Sequence, residues 1–261
     1  MQVGRIESVL FDFDGTVSVI REGWQEIMCP MMVEILVQTP QAESEGELSV
    51  CVRDFVDLLT GKDTIFQMMR LAEEVEKRGG KPLDALDYKR EYHGRLWQRI
   101  EHRVADLKAG KVDPREMVIE GAIDWLDELH SRGLDLYLAS GTDHQYVVDE
   151  ATALGVAKYF GDRIYGALDN YWERSKAQII RDILETNRLH GSSLVTFGDG
   201  YVEIENCKQA GGLAIGVASD ELNRRGINDW KRSRLISAGA DVIIPDFTDI
   251  PALKGLLFHE S

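Results

Sequence analysis

The segment Val9-Leu10-Phe11-Asp12-Phe13-Asp14-Gly15-Thr16 ends an apolar run on two carboxylates. The run reads as a β-strand, and on a strand residues i and i+2 share a side. Asp12 and Asp14 therefore point the same way at the lip of an apolar core. Two like charges so placed repel. The arrangement is stable if a cation sits between them, or if one of them keeps its proton, and the segment alone leaves both open. Asp-Gly is also common turn chemistry, so the rest of the chain has to decide the matter.

Beyond Gly15 the texture is helical for about a hundred residues, a length typical of a small domain. Trp24, Ile27, Met28, Met31 and Met32 recur at helical spacing, although Pro30 should kink or break that helix. Val52, Phe55, Val56 and Leu59 precede Thr60-Gly61. Ile65, Met68, Met69, Ala72 and Val75 run up to Gly79-Gly80, and a charged helix follows from Asp84 to Ala109. After Pro114 helix and strand alternate. Apolar strands are expected at Leu134–Ala139, Ile164–Ala167, Leu194–Phe197, Leu213–Val217 and Val242–Ile244. Helices are expected at Thr142–Leu154, Ser175–Asn187 and Tyr201–Ala210. Continuous apolar strands alternating with amphipathic helices imply a parallel sheet covered on both faces. In such folds ligands sit beyond the carboxyl ends of the strands.

Those ends carry polar groups. The first strand ends in Asp12-Phe13-Asp14, the second in Ser140-Gly141-Thr142, and Leu194–Phe197 in Gly198-Asp199-Gly200 with Glu203 one turn on. A parallel sheet brings them to one rim. Hard carboxylate oxygens suit Mg²⁺, which takes one or two carboxylates plus a substrate phosphate, so a cation would supply the charge missing between the aspartates. Thr142 and Gln145 have capping-box spacing, and the helix start there favours an anion, with Ser140 as a hydroxyl donor. Lys176 falls in the first turn of its helix, where a cation opposes the macrodipole at a cost of about 0.3–1 kcal/mol. At this rim it could neutralise carboxylates and phosphate together; on an exposed helix end it would be a solvated lysine.

Composition sets limits. The chain has 261 residues, 44% hydrophobic and 29% charged, with a net charge of −15. That charge argues against nucleic-acid or anionic-membrane partners. The opening residues lack signal-peptide anatomy, and no run reaches the length of a membrane span. Cys29, Cys51 and Cys207 suit neither a disulfide framework nor a zinc site. Reduced thiols in a cytoplasmic protein are expected.

Taken together, the motifs resemble the haloacid dehalogenase (HAD) superfamily of phosphotransferases. Asp12-Phe13-Asp14-Gly15-Thr16 is like its DxDGT signature, and Ser140 and Lys176 stand where its small hydroxyl residue and lysine do. Gly198-Asp199 with Glu203 is like its GDxxxD pattern, with Glu in place of the more usual Asp. The resemblance implies a Rossmann-like α/β core, 1–16 plus 117–261, with an inserted all-helical cap of the C1 type, 17–116. It implies a Mg²⁺-dependent phosphatase for a small phosphorylated metabolite, a sugar phosphate or phosphoglycolate-like acid. Asp12 would be the nucleophile and Asp14 the general acid and base. Asp12, the Asp14 carbonyl, Asp199 and Glu203 would hold the metal, and Ser140 and Gly141 the phosphoryl oxygens. Retention of an acid at Asp14 is like phosphatases and sugar-phosphate mutases, and unlike dehalogenases and phosphonatases. The alternatives are a phosphomutase of the β-phosphoglucomutase kind and a non-catalytic phospholigand-binding protein. In similar caps a break such as Thr60-Gly61-Lys62-Asp63 reaches the leaving group, which makes Lys62 the substrate candidate. Hinges between core and cap are expected near Thr16–Val19 and Lys111–Arg115; Arg21 and Trp24 follow the first, and His144 lies near the rim as a further candidate for substrate contact.

Overall fold

The computed structural model describes residues 6–168, 176–186 and 191–258, with the side chains at 176 and 179 excluded. In chain order its elements are β1 (Ser8–Phe11), α1 (Gln25–Val37), α2 (Glu45–Leu59), α3 (Thr64–Lys77), α4 (Ala85–Lys108), α5 (Ala122–Ser131), β2 (Asp135–Asp143) and α6 (His144–Ala153). They continue with α7 (Ala157–Phe160), β3 (Ile164–Ala167), α8 (Lys176–Thr186), β4 (Leu194–Gly198), α9 (Tyr201–Gln209), β5 (Leu213–Val217), α10 (Asp229–Ser237), β6 (Val242–Ile244) and α11 (Ile250–Phe258).

The described strands form one sheet of order β3-β2-β1-β4-β5-β6, parallel throughout. The chain leaves β1 toward one edge and returns through β4 on the other side of it, so the topology switches between β1 and β4. Strand alternation covers both faces. Leu10 and Tyr137 pack against Ile180, Ile183, Val202 and Ile204 on one side. On the other, Phe11 stacks on Phe197 with centroids 5.0 Å apart, and Trp125, Phe160 and Phe247 close around them. Offset and edge contacts of this kind add about 0.5–1.5 kcal/mol each beyond their burial.

Two compact units result: 1–22 with 103–261, which carries the sheet, and 23–102, which is helical. In the helical unit α2 begins with a capping box, Ser44 accepting from the Glu47 amide while Glu47 accepts from that of Ser44. α1 runs unbroken through Pro30, so of the kink or break expected there the break does not occur. Pro30 lies on the exposed face of α1, so the carbonyl that loses its partner can be solvated. Glu74 is buried in a network with Arg78, Arg70 and Glu43. Tyr88, Tyr92, Leu96 and Ile100 form the buried stripe of α4, four residues apart.

Candidate active site

The register of β1 fixes the site. Phe11 pairs with Leu138 on β2 and with Phe197 on β4, so the residues that follow in each strand emerge together at the carboxyl edge. The Asp12 amide donates to the Phe197 carbonyl at 2.9 Å, continuing the ladder past the strand end and placing a buried carboxyl beside Asp199. The chain then turns tightly, with the amides of Val17 and Ser18 both donating to the Phe13 carbonyl at 2.8 Å. Gly15 makes that turn at φ +76°, and a Cβ there would strike the Asp199 carboxylate. Its lack of a side chain thus serves both the backbone conformation and the approach of Asp199.

Carboxylate oxygens of Asp12, Asp199 and Glu203 lie within 4.8 Å of one another. Glu203 is buried at the start of α9, where its Oε1 accepts from the Gly200 amide at 2.7 Å. Gly198 leaves room for it, since a Cβ there would overlap the Glu203 side chain. Three acidic groups this close are mutually repulsive unless a cation or bound protons offset them. Their donor set, all hard oxygens, fits a divalent ion such as Mg²⁺.

Asp14 stands at the same rim, with a side chain 27% exposed. Its Oδ2 accepts from Thr142 Oγ1 at 2.9 Å and Ser140 Oγ at 3.2 Å, and the Thr142 amide donates to Ser140 Oγ at 3.0 Å. Here the structure departs from the sequence reading. Residues 140–143 continue β2, and α6 begins at His144 with no capping hydrogen bond from the Asp143 side chain. Pairing of Asp143 with Ala167 across a register shift draws the strand onward. The Thr142–Gln145 capping box does not form, because the Thr142 hydroxyl is spent on Asp14. Gly141 lies between the two hydroxyl residues.

Two buried cations, Arg21 and Lys231, support the rim. Arg21 donates through Nε and Nη2 to the buried Glu150 carboxylate at 2.7–3.1 Å, with its Nε 3.9 Å from Asp14 Oδ1. Burial pushes the Glu150 carboxyl up, and Arg21 pulls against that shift. Lys231 lies 2.8 Å from Asp199 Oδ2 and 2.6 Å from Glu221 Oε1. Burial opposes its charge, but the two carboxylates more than offset this and hold the ammonium protonated. Thr142, Glu150, Glu221 and Lys231 were not among the residues expected from sequence.

Of the expected residues, the structure gathers Asp12, Asp14, Ser140, Gly141, Asp199 and Glu203 at one sheet edge. Lys176 opens α8, but its side chain lies outside the described residues. Lys62 and Trp24 belong to the helical unit, where exposed Lys62 lies 5.8 Å above the Phe66 ring. His144 is exposed at the first position of α6. All three cysteines are free.

A 3-2-1-4-5-6 sheet with carboxylates at its switch point defines a doubly wound α/β protein of the ligand-binding or catalytic kind. More narrowly, the chain belongs to the haloacid dehalogenase-like hydrolase family, whose model matches residues 6–211. It is an enzyme of that family, with the α/β core and the helical insertion between β1 and β2. A comparison with curated proteins gives no match.

Several solved structures share the fold. A predicted phosphoglycolate phosphatase from Haemophilus somnus 129pt is 16% identical with a TM-score of 0.61, covering 96% of this chain and 99% of its own. A β-phosphoglucomutase from Clostridium difficile is 13% identical with a TM-score of 0.63, covering 97% and 98%. A CbbY mutant from Rhodobacter sphaeroides, in complex with xylulose-(1,5)bisphosphate, is 20% identical with a TM-score of 0.59, covering 94% and 96%. Among the described residues no helix is long and apolar enough to cross a membrane.

Proposed function

We propose that the protein is a Mg²⁺-dependent phosphatase of a small phosphorylated metabolite, working through an aspartyl-phosphate on Asp12. The observation that carries this reading is the convergence of Asp12, Asp199 and Glu203 within 4.8 Å, with Asp14 at the same edge. Asp12, Asp199, Glu203 and the Asp14 backbone carbonyl would hold the ion, which when bound neutralises charge on the phosphoryl oxygens. An Asp12 carboxylate oxygen attacks phosphorus while the bond to the leaving oxygen breaks. Asp14 gives that oxygen its proton, then takes one from the water that attacks the acyl phosphate. Orthophosphate leaves and the Asp12 carboxylate is regenerated. The Thr142 hydroxyl sets the Asp14 carboxyl, and Ser140, on turning its single O–H from Asp14 to the substrate, would orient phosphoryl oxygens with the Gly141 amide. From its place on α8, Lys176 would add a second positive charge.

On the family's pattern we assign the core to 1–16 plus 117–261 and the cap to 17–116, with Lys62 as its candidate substrate contact. The proposed substrate class, a sugar phosphate or phosphoglycolate-like acid, draws support from two solved structures of the same fold, one described as a predicted phosphoglycolate phosphatase and one in complex with xylulose-(1,5)bisphosphate. Purified protein should release orthophosphate from members of a phosphorylated-metabolite panel only when Mg²⁺ is present. Asp12→Asn should abolish release while the protein stays folded; full activity in that variant would remove the nucleophile assignment. Conversion of a sugar 1-phosphate to its isomer, without net orthophosphate, would assign the mutase chemistry instead.

A further inference from the structure

Lys231 occupies an unfavourable place. It lies in the first turn of α10, behind the N-cap Asn228, whose side chain accepts from the Lys231 amide at 3.0 Å. A cation there opposes the helix dipole, and the neighbours Asp229, Trp230 and Arg232 are exposed while Lys231 is 8% exposed. Its burial has a definite use. An ammonium has three N–H donors, and Lys231 has three acceptors: Asp199 Oδ2 at 2.8 Å, Glu221 Oε1 at 2.6 Å and Ser219 Oγ at 3.2 Å. The Ser219 hydroxyl in turn donates to the Gly15 carbonyl at 2.7 Å. One side chain thereby ties α10 and the loop after β5 to the turns that follow β1 and β4.

Resting on the metal-site reading above, the geometry points to Lys231 as a positioning residue that fixes the Asp199 carboxylate for the cation. With its N–H groups committed to Asp199, Glu221 and Ser219, it donates to no substrate. Asp199 Oδ2 is held by the ammonium, and a carboxylate oxygen of the same side chain lies within 4.8 Å of oxygens of Asp12 and Glu203. The same ammonium offsets the repulsion among Asp199, Glu221 and the acidic cluster, so the carboxylates stay close before a cation arrives. Outer partners that orient metal-binding carboxylates typically set affinity by about 10–100-fold.

The test uses the full chain and Mn²⁺ as probe. Lys231→Met alone leaves the partly buried Glu221 without its cation and can fail to fold, so the informative variant is Lys231→Met with Glu221→Gln, which removes one charge of each sign. Calorimetric titration should give a Mn²⁺ Kd raised about 10–100-fold over wild type. With p-nitrophenyl phosphate, the Mg²⁺ concentration for half-maximal turnover should rise by a similar factor. KM for that ester at saturating Mg²⁺ should stay near the wild-type value, a split that general damage to the fold would not produce. A double variant with wild-type Mn²⁺ affinity would overturn the role of Lys231 while leaving the metal site intact. A wild-type chain that takes up no Mn²⁺ would overturn the metal site, and the positioning role with it.

Discussion

Replacing Glu150 by Ala tests how the segment after Asp14 is anchored. Glu150 is 1% exposed on α6 and accepts the Arg21 guanidinium at both oxygens. Tyr146, one turn earlier on the same helix face, lies 5.7 Å from the guanidinium carbon. Removing one partner of such a buried pair strands the other charge and costs about 3–5 kcal/mol. For a folding unit of about 150–250 residues each kcal/mol lowers Tm by about 2–4 °C, so the melting point should fall by about 6–20 °C. Circular dichroism melts and urea titrations at neutral pH read this directly. Changing both residues, Arg21→Met with Glu150→Leu, removes the stranded charge and should recover most of the loss, because apolar replacements of buried pairs are often neutral or stabilising. A loss below about 1 kcal/mol in Glu150→Ala would place the pair with exposed ion pairs and refute the anchoring argument. A double variant no more stable than the single one would refute it too. With Glu150 gone, Arg21 is also left beside Asp14, 3.9 Å away, and phosphate release should slow even below the new melting range.

Other outcomes follow from individual side chains. Asp14→Asn should lower turnover by about 10²–10⁴-fold, the usual worth of a positioned acid and base, while Mn²⁺ affinity measured by calorimetry changes little; the opposite pattern would make Asp14 chiefly a ligand. Gly15→Ala forces a side chain into the left-handed region at φ +76°, costing about 1–2 kcal/mol. It also drives Asp199 from its place, so a variant with wild-type metal affinity would contradict the packing at that turn. Cys207 is 1% exposed, and burial pushes its thiol up to about 11. Because the raised value keeps the thiol neutral in the folded state, only about one molecule in a thousand carries the thiolate at pH 8. Iodoacetamide should leave Cys207 unmodified in the native protein and alkylate it in urea, as mass spectrometry can read.

The parts of this molecule that were legible in its sequence are those governed by short-range periodicity. Continuous apolar runs identified the parallel strands, and their order along the chain placed Asp12, Ser140 and Asp199 at one edge without any knowledge of packing. The helix α4 reads as a long charged helix between Asp84 and Ala109, and its buried stripe at every fourth position is plain only in the fold. What escaped notice depends on partners distant in sequence. Thr142 looks like a helix cap because Gln145 stands at the right spacing, yet β2 runs on through it to the pairing of Asp143 with Ala167, and a carboxylate 128 positions away takes its hydroxyl. Glu150 sits among the polar residues of an amphipathic helix, and only the fold shows that Arg21 reaches it.

Lys231 carries the point furthest. Lysines in charge-rich helical segments are usually solvated, and Asp229-Trp230-Lys231-Arg232 reads as such a segment. One local signal was available: a lysine in the first turn behind an Asn N-cap is electrostatically misplaced, the argument that singled out Lys176. Applied evenly along the chain, that argument selects both lysines. The shared feature has a physical cause. A sheet edge that gathers several carboxylates repels itself; one cation beside it, Arg21, comes from the segment before α1, while Lys231 comes from a helix whose amino end faces the same edge, against its own dipole. Misplaced charge at a helix start is therefore a sequence-level trace of an acidic site elsewhere in the chain, and at Lys231 it marks the helix whose ammonium lies against Asp199.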